Sequence, residues 1–484
     1  MPTYTVVTFG CQMNVHDSDR IGDVLRRSGY SEVESPEGAD VVVLNTCSVR
    51  EKAEHKLRSE VGRLGLLKRE RPELVIAVAG CVAQQEGEKL TRSMPQIDVV
   101  LGPDNIPELP ALLRGVDSGA PAQVRTVFDY DSPSFLAASD DPKSAVTAFV
   151  TTMKGCDERC TFCIVPYTRG HERYRASGEI LDEIERLVAR GVREVTLLGQ
   201  TVDSYRDPSG KLAPAPLAGA GTLRWGRRNA SPEDETEFPA LLRAIAQRVP
   251  ELARLRYTSP HPRHLTPALV AAHRDLPALA RHVHMPVQSG DNLVLKRMGR
   301  RYTREEYLER TQLLIDENPG LTISTDIIVG FPGETREQFE HTLDLVRERG
   351  FVGVFAFKYS QRPHTPALQF EDDVPEQEKG IRLNELLELS EQIRGAHLQR
   401  LVGSLQRVLV EGRSKSGSFT GRTAQNEIVH WGCQGDPTGE IVELRIVRAL
   451  KHSLVAEMVD SGRRAPYASA PVERPVPRSL PLIG

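Results

Sequence analysis

At 484 residues the chain is longer than one ordinary domain, and 62 basic against 66 acidic residues leave a formal net charge of -4, which neither demands nor rules out a nucleic-acid partner. No apolar run approaches the length of a membrane span, and the start, Met1-Pro2-Thr3-Tyr4-Thr5-Val6, carries no basic-then-apolar leader; a cytoplasmic chain with no membrane partner is expected. Seven cysteines are an odd number, and in a reducing compartment they point to metal ligation before disulfides.

Residues 3–105 alternate apolar strand runs with amphipathic helical segments, the pattern of a parallel sheet flanked by helices. Three strands end alike: Tyr4-Thr5-Val6-Val7-Thr8-Phe9-Gly10 runs into Cys11, Ala39-Asp40-Val41-Val42-Val43-Leu44-Asn45-Thr46 into Cys47, and Leu74-Val75-Ile76-Ala77-Val78-Ala79-Gly80 into Cys81. Ligand sites of open parallel sheets gather outside the carboxyl ends of the strands, so these thiols are predicted to converge. Small hydrophobic cysteines past buried strands are the plainer alternative. Residues 106–144 turn Pro-, Ser- and Asp-rich and read as a connection, with a strand at Arg125-Thr126-Val127-Phe128.

A strand over 145–153 then delivers Cys156-Asp157-Glu158-Arg159-Cys160-Thr161-Phe162-Cys163. Three thiolates at this spacing can hold three irons of an iron-sulfur cube and leave the fourth open to a small molecule. A zinc knot or buried thiols are the alternatives; zinc lacks a fourth ligand here, His171 standing alone. The loop resembles that of the radical S-adenosylmethionine (SAM) superfamily, in which the open iron chelates SAM and cluster-driven cleavage gives a 5'-deoxyadenosyl radical.

Strand-helix alternation continues through 145–375, with strands at Glu194–Leu198, Arg254–Thr258, His282–Val287, Leu321–Val329 and Val352–Phe357, predicting a partial or complete (β/α) barrel. Gly199, Gln200, Gln288 and Gly330 fall in the loops after those strands and are candidate SAM contacts. Residues 207–236 look like a flexible insertion with Trp225 its only large anchor; 376–401 form a helical connection. Short strands over 402–461 predict a small OB-like β-barrel, with Arg413, Lys415, Arg422 and Asn426 as candidate RNA contacts and Lys451 a further donor, or else a solvated packing face. Cys433 has no partner there, and the Pro-rich 462–484 tail reads as disordered.

The order of the three regions resembles the methylthiotransferase family. The likeness spans roughly residues 3–460 and is carried by Phe9-Gly10-Cys11-Gln12-Met13-Asn14, Asn45-Thr46-Cys47-Ser48, Gly80-Cys81-Val82-Ala83-Gln84-Gln85, Gly155-Cys156 to Cys163-Ile164-Val165-Pro166-Tyr167-Thr168-Arg169-Gly170, Met285-Pro286-Val287-Gln288-Ser289-Gly290 and Asp326 to Thr335. The last domain looks like a TRAM domain, through Val410-Glu411-Gly412 and Gly421-Arg422-Thr423-Ala424-Gln425-Asn426. The resemblance implies SAM, two [4Fe-4S] clusters held by Cys156, Cys160, Cys163 and by Cys11, Cys47, Cys81, a tRNA anticodon loop as substrate, and an electron donor such as flavodoxin or ferredoxin. Arg50-Glu51-Lys52-Ala53-Glu54-His55-Lys56 is similar to the branch that adds a methylthio group to C2 of N6-isopentenyladenosine beside the anticodon. The branches acting on threonylcarbamoyl-adenosine or on a ribosomal-protein aspartate, and an iron-sulfur RNA-binding or iron-sensing protein without turnover, are the alternatives.

Overall fold

The computed structural model describes residues 1–48, 51–131, 135, 146–212, 235–414 and 417–459. Arg50, the body of the insertion with Trp225, Lys415 and the 462–484 tail lie outside the described residues. The chain divides into two compact units, one of residues 1–143, 153–175 and 360–365, the other of 144–152, 176–359 and 366–484. Among the described residues no helix is long and apolar enough to cross a membrane.

The first unit is built on a six-stranded sheet: β1 (Thr3–Phe9), β2 (Ser31–Glu32), β3 (Val41–Thr46), β4 (Val75–Gly80), β5 (Val99–Leu101) and β6 (Gln123–Arg125). Their order is β2-β1-β3-β4-β5-β6, and every pairing is parallel. The continuous apolar runs of β3 and β4 are buried throughout because helices cover both faces. Helix α2 (Glu51–Glu70) brings Leu57, Val61 and Leu64 onto Val42, Leu44, Ile76 and Val78. On the other face α1 (Gln12–Arg27) brings Ile21 and Leu25 onto Val41, Val43, Ala77 and Ala79. The connection expected from residue 106 carries structure of its own: a helix at Leu109–Asp117 lays Leu109 and Leu113 on this core, and β6 joins the sheet. The expected strand at 125–128 thus ends at Arg125, after which Val127 donates its N–H to the side chain of Asn105 instead of to a neighbouring strand.

The second unit opens with β7 (Thr147–Thr151); the chain returns to the first as an antiparallel ribbon of β8 (Met153–Lys154) and β9 (Arg173–Tyr174), so the strand expected over 145–153 is interrupted at Thr152. Five more parallel strands follow in the second unit: β10 (Glu194–Leu198), β11 (Arg254–Tyr257), β12 (His282–His284), β13 (Thr322–Val329) and β14 (Gly353–Lys358). They form two three-stranded sheets, β11-β10-β7 and β12-β13-β14, a partial barrel. β12 stops short of the expected Val287 since Pro286 has no N–H to give the ladder.

A helix at Glu376–Arg400 leads to a closed barrel of β15 (Leu405–Arg413), β16 (Phe419–Thr423), β17 (Ile428–Trp431), β18 (Ile441–Ala449) and β19 (Leu454–Met458). Phe419 and Trp431 stack in its centre with ring centroids 6.0 Å apart, and Leu398 of the helix joins this core. The β16–β17 turn docks on the amino-terminal ends of the parallel strands: Arg254 Nη1 donates to the Arg422 carbonyl (3.0 Å), Arg256 Nη2 to that of Thr423 (3.1 Å) and the Arg281 amide to that of Ala424 (3.0 Å). Buried Glu427 meets Arg394 and His397 of the helix at 3.3 and 3.2 Å. Removing one partner of a buried ion pair leaves the other charge uncompensated, so Glu427→Ala is expected to loosen this contact by about 3 kcal/mol and to speed amide exchange across residues 419–431; hydrogen-exchange mass spectrometry on parent and variant checks it.

Candidate metal centre

Phe9, Thr46 and Gly80 are register partners across β1, β3 and β4. Adjacent strands lie about 4.8 Å apart, so the cysteines that follow these ends leave the sheet side by side. Cys11 and Cys47 share a hydrogen bond, and chiefly for that reason the Cys11 pKa is lowered to about 6. Burial pushes the Cys81 thiol up, against the pull of the Arg169 guanidinium, whose Nε donates to Cys81 Sγ at 3.2 Å.

Local sequence dictates this convergence. Cys11 caps α1 and Cys81 opens α3 (Cys81–Glu86), so both stand at helix starts rich in free amides. Asn14 accepts from Cys11 Sγ (3.4 Å) and donates to Asn45 Oδ1 (3.3 Å), while Asn45 Nδ2 donates to the Asn14 carbonyl (2.8 Å) and Ser18 Oγ (2.9 Å), knitting α1 to the end of β3. Gly80 has φ +91°, and a Cβ there would fall on Asn45 Oδ1 and the Thr46 carbonyl. Gly80→Ala is therefore expected to cost on the order of 2 kcal/mol and to lower bound iron; thermal unfolding and iron analysis of the variant report both.

A cluster at these cysteines would need thiolate ligands and polar partners for its sulfides. Thiolate is the ligand form, and the lowered Cys11 pKa favours it. Thr46 Oγ1 and Ser48 Oγ, on either side of Cys47, are buried without a hydrogen-bond partner among the described residues, and hydroxyls so placed suit the sulfides of a cluster. No group of three or more His, Cys, Asp or Glu among the described residues is spaced for a single metal ion. The surroundings fit a cluster.

The second cysteine loop belongs to the same unit. Cys156 is tied back by its amide to the Gly170 carbonyl (3.1 Å), and a turn closes Cys163 N on the Cys160 carbonyl (3.1 Å). Gly155 adopts φ +80°, where a Cβ would strike the His171 carbonyl. His171 itself is exposed and bonded to Asp157 Oδ1 (2.8 Å). The feet of the loop rest on Asp104, a carboxylate only 5% exposed that accepts from Lys154 Nζ (3.1 Å) and from Arg173. Burial raises the Asp104 pKa, but the two cations outweigh it and hold the carboxyl below its ordinary value.

In the second unit Gly199, Gln200, Gln288 and Gly330 all stand beyond the carboxyl ends of parallel strands. Gln288 and Gly330 take left-handed backbone, φ +75° and +67°, and a Cβ on Gly330 would meet the stem of Lys379. The Gly330 amide donates to buried Glu334 (2.6 Å), which Arg382 holds at 2.9 Å. Asp203, fully buried, accepts from the His261 amide (2.8 Å) and joins the loops after β10 and β11. In the small barrel Arg413 lies over the Phe419 ring (4.0 Å) and donates to two carbonyls, and Arg422 faces Glu411 (3.2 Å) and Asn426 (3.2 Å). Cys433 is half-buried and free.

Asp17, Asp104, Lys154 and Arg173 escaped the sequence reading, and Arg169 entered it without a role. Their partners are distant in the chain, and no local spacing marks them; the only trace is that three cations flank one cysteine loop.

Residues 3–102 match the uncharacterized protein family UPF0004, residues 150–346 the Radical SAM superfamily and residues 399–459 the TRAM domain. The tRNA-2-methylthio-N(6)-dimethylallyladenosine synthase of Sorangium cellulosum is 60% identical over 503 residues, covering 100% of this chain and 99% of that protein. That of Syntrophotalea carbinolica is 40% identical over 462 residues, 95% and 100%. Among solved structures, the radical S-adenosylmethionine methyltransferase TsrM from Kitasatospora setae aligns over 84% of this chain and 77% of its own with a TM-score of 0.50; at 14% identity the likeness is one of fold.

Proposed function

The chain belongs to the tRNA-2-methylthio-N(6)-dimethylallyladenosine synthase family, and from that membership we propose how its cysteines share the work. It is a radical SAM methylthiotransferase that adds a methylthio group to C2 of N6-isopentenyladenosine beside the tRNA anticodon, and it uses SAM and a [4Fe-4S] cluster. In our reading Cys156, Cys160 and Cys163 hold that cluster, and Cys11, Cys47 and Cys81 hold a second one. When bound, these groups and SAM supply the radical that activates C2, an aromatic carbon beyond the reach of any side-chain base, and the sulfur that replaces its hydrogen.

The protein's own part is placement. The observation that carries the reading is the common register of Phe9, Thr46 and Gly80, which lines up three cysteines that the sequence keeps far apart. Arg169 and Asp104 hold the two cysteine sites in their unit. Gly199, Gln200, Gln288 and Gly330 are our candidates for SAM contact. A target base must leave its stack to react, which a single-stranded anticodon loop permits. We assign backbone contact to the small barrel, with Arg413, Lys415, Arg422 and Asn426 as its candidates. An external one-electron donor, a flavodoxin or ferredoxin, completes the set.

The test is nucleoside mass spectrometry on tRNA from a strain lacking its own synthase and carrying this chain. The 2-methylthio form of isopentenyladenosine is expected to return; its failure to do so, with threonylcarbamoyl-adenosine or a ribosomal aspartate modified instead, would move the assignment to another branch.

A further inference from the structure

Arg169 follows the Cys156 to Cys163 loop in the chain, yet its side chain serves the other three cysteines. It is 4% exposed. Nε donates to Cys81 Sγ (3.2 Å) and Nη2 to Asp17 Oδ2 (2.5 Å). Nη1 is buried with no hydrogen-bond partner among the described residues. The Arg169 carbonyl accepts from Arg173 Nη2 (2.7 Å), so the main chain that carries the guanidinium is itself anchored.

A buried guanidinium is costly unless paired, and here the pairing is divided between a carboxylate on α1 and a cysteine sulfur. A thiolate bound to iron keeps lone pairs that accept N–H donors. Such donors, and any fixed positive charge beside the cluster, favour the reduced and more negative state. A carboxylate behind the cation opposes it. We propose that Arg169 is a positioning residue that sets the reduction potential of the cluster on Cys11, Cys47 and Cys81, with Asp17 as its counterweight. This rests on the reading that those cysteines hold a cluster. Nη1 has the reach of one more donor and suits a cluster sulfide.

The rival account is a plain clamp between the segment after Cys163 and α1. It predicts that Arg169→Gln and Asp17→Asn, which break the same ion pair, act alike. Electrostatic tuning predicts opposite signs. The experiment uses the full chain with Cys156, Cys160 and Cys163 replaced by Ala, so that only the second cluster remains, in a redox titration followed by electron paramagnetic resonance. Added Arg169→Gln is expected to make reduction about tenfold less favourable, a shift of about 59 mV downward for one electron. Asp17→Asn is expected to shift the potential upward, and Arg169→Lys to stay near the parent. Equal potentials in all four proteins, or shifts of one sign for both the Gln and Asn variants, overturn the inference while leaving the cluster assignment standing. Absence of any cluster in the parent overturns both. Should the Gln variant bind no iron, the Asn variant decides: an upward shift supports the inference, and no shift or a downward one overturns it.

Discussion

With Cys11, Cys47 and Cys81 all replaced by Ala, the purified protein is expected to hold half the iron of the parent and to form 5'-deoxyadenosine without methylthiolating tRNA. Alanine offers no ligand. The fold has reason to survive: the sheet is held by β3 and β4, buried along their whole length against two helical faces, and the cysteines lie just past the strand ends. Arg169 loses one acceptor but keeps Asp17. The other cysteine loop keeps its ties to Asp104 and Gly170. Iron analysis, chromatography of deoxyadenosine and nucleoside mass spectrometry on one preparation read the three quantities together. Unchanged iron would remove the second cluster from the account, and loss of SAM cleavage would mean that the two sites do not act separately.

Asp104→Ala is expected to have an effect of similar size by a different route. This single carboxylate faces Lys154 and Arg173, the two ends of the segment that carries Cys156, Cys160 and Cys163. Without it two cations stay buried beside each other, and breaking a buried pair in this way costs about 3–5 kcal/mol. Desolvation already lowers the Lys154 pKa against the pull of Asp104, so removing that pull favours the neutral amine or an opened loop. The variant should lose much of its SAM-cleaving activity and about half its iron while circular dichroism keeps the parent's helix and strand content. Asp104→Glu, which keeps the charge, should recover part of both; no recovery would mean that the geometry matters and the charge does not.

Much of this arrangement is legible in the sequence. The apolar runs that end in Cys11, Cys47 and Cys81 announce a buried parallel sheet, and a parallel sheet has its sites at one edge. What local pattern does not carry is register. Nothing near Thr46 says that it lies between Phe9 and Gly80; that follows from long-range pairing. The same holds for Arg169 and Asp17, which are joined across 152 positions of chain. Residues 106–125 differ from a plain connection for another reason: Pro110 sits in the first turn of the Leu109–Asp117 helix, where a missing N–H does no harm, so a composition typical of a connection conceals a helix and an edge of the sheet. Arg422 and Asn426 read as donors for phosphate, but a pattern of polar residues cannot show that Glu411 and the turn itself already engage them.

The turn that docks the small barrel is gripped by its main chain. Arg254, Arg256 and the Arg281 amide address the carbonyls of Arg422, Thr423 and Ala424, and no side chain of those three residues takes part in these bonds. The contact therefore reads the shape of a bend and not its lettering. An exchange of side chain at Ala424 leaves its acceptor in place, whereas loss of the Thr423 hydroxyl, which accepts the Glu427 amide (3.1 Å), a deletion of one residue, or a β-branched residue at Asn426 with its φ of +75°, disturbs the bend. The small barrel is therefore seated by main-chain atoms of the same residues whose side chains, Arg422 among them, are engaged within the barrel itself.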